Sequence, residues 1–475
     1  MSKYSIKKIC CIGAGYVGGP TMSVIAENCP NLVVEVVDIN KEKINNWNDS
    51  DLRNLPVYEK GLTEIIQKVR NKNLFFSTSI EKAISTSDIV FISVNTPTKT
   101  KGLGAGKASD LKWVEECARQ VARFANGHTI VVEKSTIPVK TAATIQAILE
   151  SSINDKNEKK FAVLSNPEFL AEGNAIEDLK NPERILIGGD DKDAIKALKE
   201  IYLNWVESNK ILETNLWSSE LSKLVANAFL AQRISSINSI SAICEVTGAN
   251  INEVSLAIGM DSRIGSKFLK SGPGFGGSCF QKDILNLSYL CEYFGLNEVA
   301  EYWSQVIKIN EWQKYRIYKE IIKKSFGTVN QKKLTIFGFA FKANTNDIRE
   351  SPAIKICSDL LEEGAMLFIH DPKVKLSQIE NEFNNRKINF RNQLFFSENI
   401  ETAVKESHAV IILTEWEQYI KLNWQEIGSL MKSPSWIFDT RGILNRKDLL
   451  LSNINLWQGG YDNEEFSNLR NTSIK

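Results

Sequence analysis

The apolar run Lys7–Ile12 leads straight into Gly13–Ala14–Gly15–Tyr16–Val17–Gly18, and Thr21–Ala26 continues in helical period. A second apolar run, Leu32–Val37, ends in Asp38, twenty residues past the last glycine. Strand, glycine turn, helix, strand and acidic end in this order admit few folds. They specify a βαβ unit of a parallel sheet, with room for a phosphate where the helix starts. Gly13 allows the tight turn, Gly15 admits a pyrophosphate and Gly18 lets the helix pack closely on the strand. Asp38 is placed to accept hydrogen bonds from ribose hydroxyls, and its charge repels a 2′-phosphate. NAD is therefore expected rather than NADP. A glycine turn without a ligand is the plainer reading of a lone match, and the flanking strands with the spaced acid argue against it.

Further strands follow at α/β spacing. Asp88–Val94 runs into Asn95–Thr98, Thr129–Lys134 into Ser135–Thr136, and Phe161–Ser165 into Asn166–Glu168. Such near-continuous apolar strands belong to a parallel sheet covered on both faces, with ligands beyond the carboxyl ends. From Trp217 the period turns helical, with Ser218 or Ser219 as a fair N-cap. Lys223 and Asn227 share a face of that helix. Such a pair is usually solvated, but here it sits among small residues. The run Ala231–Ser241 carries few charges besides Arg233, which fits packing between subunits. The last third repeats the pattern: Lys333–Phe337 enters Gly338–Lys342, Ala365–Ile369 ends at His370–Asp371, His408–Leu413 at Thr414–Glu415, and Trp436–Phe438 at Asp439–Arg441. This second turn has lost two glycines, which argues for another phosphate ligand, with Lys342 and Arg441 supplying positive charge.

The expectation is an α/β protein with two doubly wound, Rossmann-like parallel-sheet domains joined by a long central helix. The expected division is 1–214 for NAD, 215–325 for dimerisation and the cysteine loop, 326–460 for the other phosphate ligand, and a polar tail over 461–475.

At 475 residues the chain is too long for one core. Its net charge of +1 gives no reason to expect nucleic acid. No apolar run is long enough to span a bilayer, and Met1–Ser5 leads into a strand with no signal-peptide core, so a cytoplasmic location is expected. The eight cysteines form no CxxC pair and there are only three histidines, so no metal site is expected. Proton transfer then falls to carboxylates, lysine or water.

One cysteine stands apart. Gly274–Phe275–Gly276–Gly277–Ser278 places Cys279 just before a helix opening with Phe280–Gln281–Lys282–Asp283. Free N–H groups and the helix dipole favour a thiolate there, and the glycines let a substrate come close. Asp283 lies four residues on, on the same helical face. Inert burial is the bland reading for any lone cysteine; this loop reverses it for Cys279 alone.

Along nearly its whole length the chain resembles the UDP-glucose/GDP-mannose dehydrogenase family, and within it the branch acting on UDP-glucose. The resemblance rests on Gly13–Gly18, Val94–Thr98, Ser135–Thr136, Asn166–Gly173, Trp217–Asn227, Arg263, Lys270–Asp283, Phe337–Lys342 and Arg349. It implies oxidation of UDP-glucose to UDP-glucuronate with two NAD⁺ and one water, through a thiohemiacetal and then a thioester on Cys279. Lys223 and Asn227 would stabilise oxyanions, Asp283 and Thr136 would hold the water, and Glu168 would act as acid/base. The cofactor would meet Gly13, Gly15, Tyr16, Val17, Gly18, Asp38, Lys43, Val94, Asn95, Thr96, Pro97, Thr98, Ser135, Glu172 and Arg349. The substrate would meet Glu168, Phe169, Leu170, Lys223, Asn227, Lys270, Phe275, Gly276, Phe341, Lys342 and Arg441, and Arg263 from a neighbouring subunit. A homo-oligomer built on a dimer, up to a hexamer, is implied. Lys43 stands where the animal enzymes carry an arginine, Asn48–Leu55 is longer than theirs, and their extended tail is lacking. Three rivals remain: a sister enzyme for UDP-N-acetylmannosamine or GDP-mannose, a one-step hydroxyacid dehydrogenase, and a nucleotide-sensing protein without turnover.

Overall fold

The computed structural model describes residues 4–151, 159–450 and 454–463, so the tail beyond Asn463 lies outside the described residues. The chain divides into two compact units, Met1–Ala226 with Leu285–Gly295 and Asn227–Ile284 with Leu296–Lys475.

The first unit holds an eight-stranded sheet: β1 (Lys8–Ile12), β2 (Val33–Val37), β3 (Leu74–Ser77), β4 (Ile89–Ile92), β5 (His128–Glu133), β6 (Lys160–Ser165), β7 (Ile185–Gly189) and β8 (Ile211–Thr214). The spatial order is β3-β2-β1-β4-β5-β6-β7-β8, and among the described ladders only β6–β7 is antiparallel. Successive residues of β1 and β4 divide between two apolar cores. Ile9, Cys11, Ile89 and Phe91 enter one, while Cys10, Ile12, Val90 and Ile92 enter the other. That alternation, with both faces covered, is why these strands read as unbroken apolar runs.

The second unit repeats the design with six parallel strands: β9 (Lys333–Phe337), β10 (Met366–His370), β11 (Leu394–Phe396), β12 (Ala409–Ile412), β13 (Ser435–Asp439) and β14 (Ile454–Gln458). Their order is β11-β10-β9-β12-β13-β14. Between the two sheets in sequence runs a 32-residue helix, Leu216–Thr247. It starts earlier than Ser218 or Ser219. Leu216 is already buried in a core, and the Asn215 side-chain oxygen accepts the Ser218 N–H at 2.8 Å. Ser219, fully buried, instead donates its hydroxyl to the Ser165 carbonyl at 3.3 Å. No described helix is long and apolar enough to cross a membrane.

Candidate active site

The first sheet reverses its strand order between β1 and β4, the place where such sheets bind ligands. Gly13 sits there at φ +112°, and a Cβ on it would lie 2.2 Å from the Ser93 carbonyl oxygen. No side chain is compatible with that turn. Its N–H donates to the Val37 carbonyl at 2.8 Å, joining the ends of β1 and β2. Asp38 Oδ2 accepts the Ala14 N–H at 3.0 Å and Oδ1 accepts the Asn40 N–H at 2.9 Å. The Lys43 ammonium is 2.9 Å from Oδ2. Burial works to raise the Asp38 pKa, but the two N–H groups and Lys43 outweigh it and hold the carboxyl below its usual range.

The ends of β4 and β5 complete this rim. The Thr96 hydroxyl donates to the Thr136 carbonyl at 2.7 Å, and the Ser135 hydroxyl to the Val94 carbonyl at 2.8 Å. These bonds tie Val94, Asn95, Thr96, Pro97 and Thr98 to Ser135 and Thr136. A Cβ on Gly15 would meet no atom within 4 Å, so the space above it at the start of helix Gly18–Asn28 is open. Open space at a helix start, with a carboxylate that keeps acceptor capacity on Oδ1, fits a dinucleotide. Tyr16 and Val17 lie in the same turn.

A second group gathers where β5 and β6 end. Lys134 and Glu168 form an ion pair at 2.9 Å, with 2% of the lysine side chain exposed. The same ammonium reaches Asn166 Oδ1 at 3.1 Å and the Tyr202 hydroxyl at 3.4 Å. Burial alone would lower the Lys134 pKa; Glu168 and then Tyr202 reverse that and raise it. Sequence reasoning passed over Lys134, although a lysine directly after a buried strand was the available signal. Phe169 lies under two cations, with Arg184 4.1 Å and Lys223 5.3 Å from its ring centre. Lys223 is buried, Leu170 packs against the core and Glu172 is half-buried.

In the second unit Cys279 is half-buried and immediately precedes helix Phe280–Tyr293, whose Asp283 N–H donates to the Cys279 carbonyl at 2.9 Å. The Ser278 hydroxyl lies 3.4 Å from the sulfur. Asp283 is 1% exposed, and its Oδ2 accepts from the Asn227 amide at 2.6 Å. Asp283 and Asn227 are thus brought together. The chain folds back tightly at Gly276, where a Cβ would lie 2.5 Å from the Glu350 carbonyl oxygen and 2.9 Å from Phe341. Phe275 is buried edge-on against Phe280.

The second sheet reverses between β9 and β12, and the architecture of the first turn recurs there. The Gly338 N–H donates to the His370 carbonyl at 2.9 Å, as Gly13 does to Val37. Asp371 occupies the place of Asp38. It accepts the N–H groups of Phe339, Ala340, Lys373 and Val374 and the indole N–H of Trp416. Five donors fill a carboxylate with about four lone-pair sites, which leaves no acceptor for a ribose. Arg441 donates to the carbonyls of Leu413 at 2.8 Å and Phe341 at 2.9 Å, and lies 3.1 Å from Glu415. Lys342 is half-exposed beside the Phe341 ring. Arg349 grips Asp347 with two nitrogens. Arg263 and Lys270 are exposed, and Arg263 pairs with its near neighbour Asp261.

The chain matches three family descriptions in order. They are the NAD binding domain of the UDP-glucose/GDP-mannose dehydrogenase family over residues 7–206, its central domain over 217–312 and its UDP binding domain over 335–446. It is 54% identical to UDP-glucose 6-dehydrogenase 3 of Arabidopsis thaliana over 459 residues, covering 93% of this chain and 94% of that one. With the UDP-glucose 6-dehydrogenase of Gallus gallus it shares 55% identity, covering 93% and 90%. A solved UDP-glucose dehydrogenase from Pyrobaculum islandicum superposes with a TM-score of 0.82 at 28% identity, over 97% of this chain and 99% of that one. The three family matches together span most of the chain and the named relatives are more than half identical to it over nine-tenths of its length, so the chain belongs to the UDP-glucose/GDP-mannose dehydrogenase family.

Proposed function

We propose that this chain oxidises UDP-glucose to UDP-glucuronate, with two NAD⁺ and one water consumed per molecule. The observation that carries the reading is Cys279 at the mouth of a helix whose first turn holds the buried Asp283–Asn227 pair. The level of identity to enzymes that bear this activity in their names supports the choice of sugar nucleotide.

NAD⁺ supplies the hydride acceptor for both oxidations. The chain's own residues do the rest. Asp38 takes the ribose hydroxyls, and the open turn at Gly15 takes the pyrophosphate. The first oxidation turns the primary alcohol into an aldehyde. The Cys279 sulfur adds to its carbonyl carbon, the oxygen takes a proton, and a thiohemiacetal results. Loss of hydride and of the hydroxyl proton from that adduct leaves a thioester. Lys223 and Asn227 stabilise the oxyanions, which in a site closed to water is worth more than in solution. Asp283 and Thr136 hold the water that attacks the thioester, Glu168 moves its proton, and the thiol leaves as the carboxylate forms. Lys270, Lys342 and Arg441 take the UDP-sugar, with Phe275, Gly276 and Phe341 beside it. Phe169 and Leu170 flank the sugar.

In this reading 1–214 binds NAD, 215–325 carries dimerisation and the thiol, and 326–460 binds the UDP-sugar. Arg263 and its exposed surroundings serve a neighbouring copy in a homo-oligomer, Glu172 and Arg349 lie near NAD, and the protein works in the cytoplasm. The test is an NADH assay over a panel of UDP- and GDP-sugars. UDP-glucose should be the preferred substrate, with two NADH formed for each molecule consumed. A ratio of one would overturn the four-electron route. Cys279→Ala should bind both ligands and release no UDP-glucuronate.

A further inference from the structure

Three buried side-chain amides of the second unit converge on one loop: Asn238 and Asn310 at 0% exposure and Gln313 at 2%. Asn238 belongs to helix Leu216–Thr247, and the other two to helix Asn297–Lys324. An amide in the interior is costly unless its polar atoms are bonded. Here the bonds go to one short stretch of backbone. Asn310 Oδ1 accepts the Phe275 N–H at 2.8 Å, and its Nδ2 donates to the Phe275 carbonyl at 3.1 Å. One side chain thus pairs with Phe275 as a neighbouring strand would. Gln313 donates to the Gly272 carbonyl at 2.8 Å, and Asn238 accepts the Gly272 N–H at 2.8 Å. Gln313 is itself fixed, since its oxygen accepts from Arg316 at 3.0 and 3.2 Å. Beyond the glycines, the Gly277 N–H donates to the Arg349 carbonyl at 2.8 Å.

The stretch that leads into Cys279 belongs to no helix or strand. Regular structure does not set its course; these bonds do. We infer that Asn310, backed by Gln313 and Asn238, is a positioning residue for the reaction: it fixes the backbone four residues before Cys279 and so sets where the sulfur stands when the aldehyde forms. The inference rests on the reading of Cys279 as the nucleophile. Asn310 need not touch substrate. A nucleophile displaced by about 1 Å costs on the order of 10²-fold in rate.

The experiment uses the full-length protein with Asn310→Leu, which keeps the side chain's bulk and removes both bonds. Three readouts are taken: kcat, KM for NAD⁺, and the rate at which iodoacetamide alkylates Cys279, followed by mass spectrometry. The expected result is a fall in kcat of about 10²-fold, an unchanged KM for NAD⁺, and an alkylation rate several-fold away from that of the parent. A parental kcat with a parental alkylation rate overturns the inference, whatever happens to the melting temperature. If Asn310→Leu fails to fold, Gln313→Met, which removes the Gly272 bond together with the two Arg316 bonds but leaves Asn310 on Phe275, is judged by the same criteria. Cys279→Ala separates the two readings. If it still makes UDP-glucuronate, the role of Cys279 fails. If it is inactive beside a fully active Asn310→Leu, only the positioning role fails.

Discussion

The Lys134 ammonium stands 2.9 Å from the Glu168 carboxylate, on the ends of adjacent strands, and almost none of it reaches solvent. The acid assigned to the hydrolytic step is thereby held by a cation that never needs to touch substrate. Lys134→Met leaves Glu168 without its partner, and removing one member of a buried pair costs about 3–5 kcal/mol at the upper end. Stability and kcat should both fall. The double variant with Glu168→Gln should be less unstable than the sum of the two single losses, read from denaturant midpoints. Simple additivity would show that the pair is not coupled.

In the proposed reading Asp38 sets the choice of cofactor. Asp38→Ala should raise KM for NAD⁺ about tenfold, the loss of roughly one charge-assisted hydrogen bond. It should also admit NADP⁺, which Lys43 then attracts without opposition. Initial rates with both cofactors check this. A variant as selective as the parent would remove Asp38 from that role.

Arg441→Lys should raise KM for UDP-glucose about tenfold and leave KM for NAD⁺ alone. A lysine cannot keep the contacts that the guanidinium makes with Leu413, Phe341 and Glu415, and each bond to a charged group is worth about 1.5–3 kcal/mol. Steady-state kinetics with each ligand varied in turn decide it.

Glu133, at 1% exposure, meets no donor at either oxygen among the described residues, and its protonated carboxyl faces Glu220, which is the acceptor of the pair. Glu220 itself accepts the N–H groups of Lys140 and Ala142 at the start of helix Thr141–Glu150. Burial first, and then the Glu220 charge, push the Glu133 pKa well above the usual carboxylate value. A carboxyl raised in the fold stabilises fully below its unfolded pKa, about 4.3, and its contribution fades as pH rises through the folded value. Glu133→Gln cannot ionise. It should melt near the parent at pH 4.5 and a few degrees above it at pH 8–9. A difference independent of pH would contradict this.

Local pattern made the two sheets, the NAD turn and the cysteine loop readable, because each depends on residues close together in the chain. The Gly13 turn and Asp38 are examples: covalent spacing alone puts them at adjoining strand ends. The long helix is capped at Asn215, three or four residues before the serines. Serines looked like caps, but the burial of Leu216 decided where the helix begins. Lys134 escaped notice because its partner lies 34 residues on and only sheet pairing brings them together. Asn310 and Gln313 escaped for a related reason: amides in a charged helix read as solvent-facing until the fold covers them. Asp371 was visible as the end of a strand, but nothing in its spacing tells that five donors surround it.

That crowded carboxylate has a consequence for timing. With the duplicate turn closed, the described residues offer one berth for a dinucleotide, and the proposed route has two oxidations to perform, so spent cofactor must depart and fresh cofactor arrive halfway through each cycle. During that exchange a free aldehyde could diffuse away. On the proposed role of Cys279, the sulfur bond keeps the half-finished sugar moored, and the vacancy left by the first passenger becomes a pause rather than a leak.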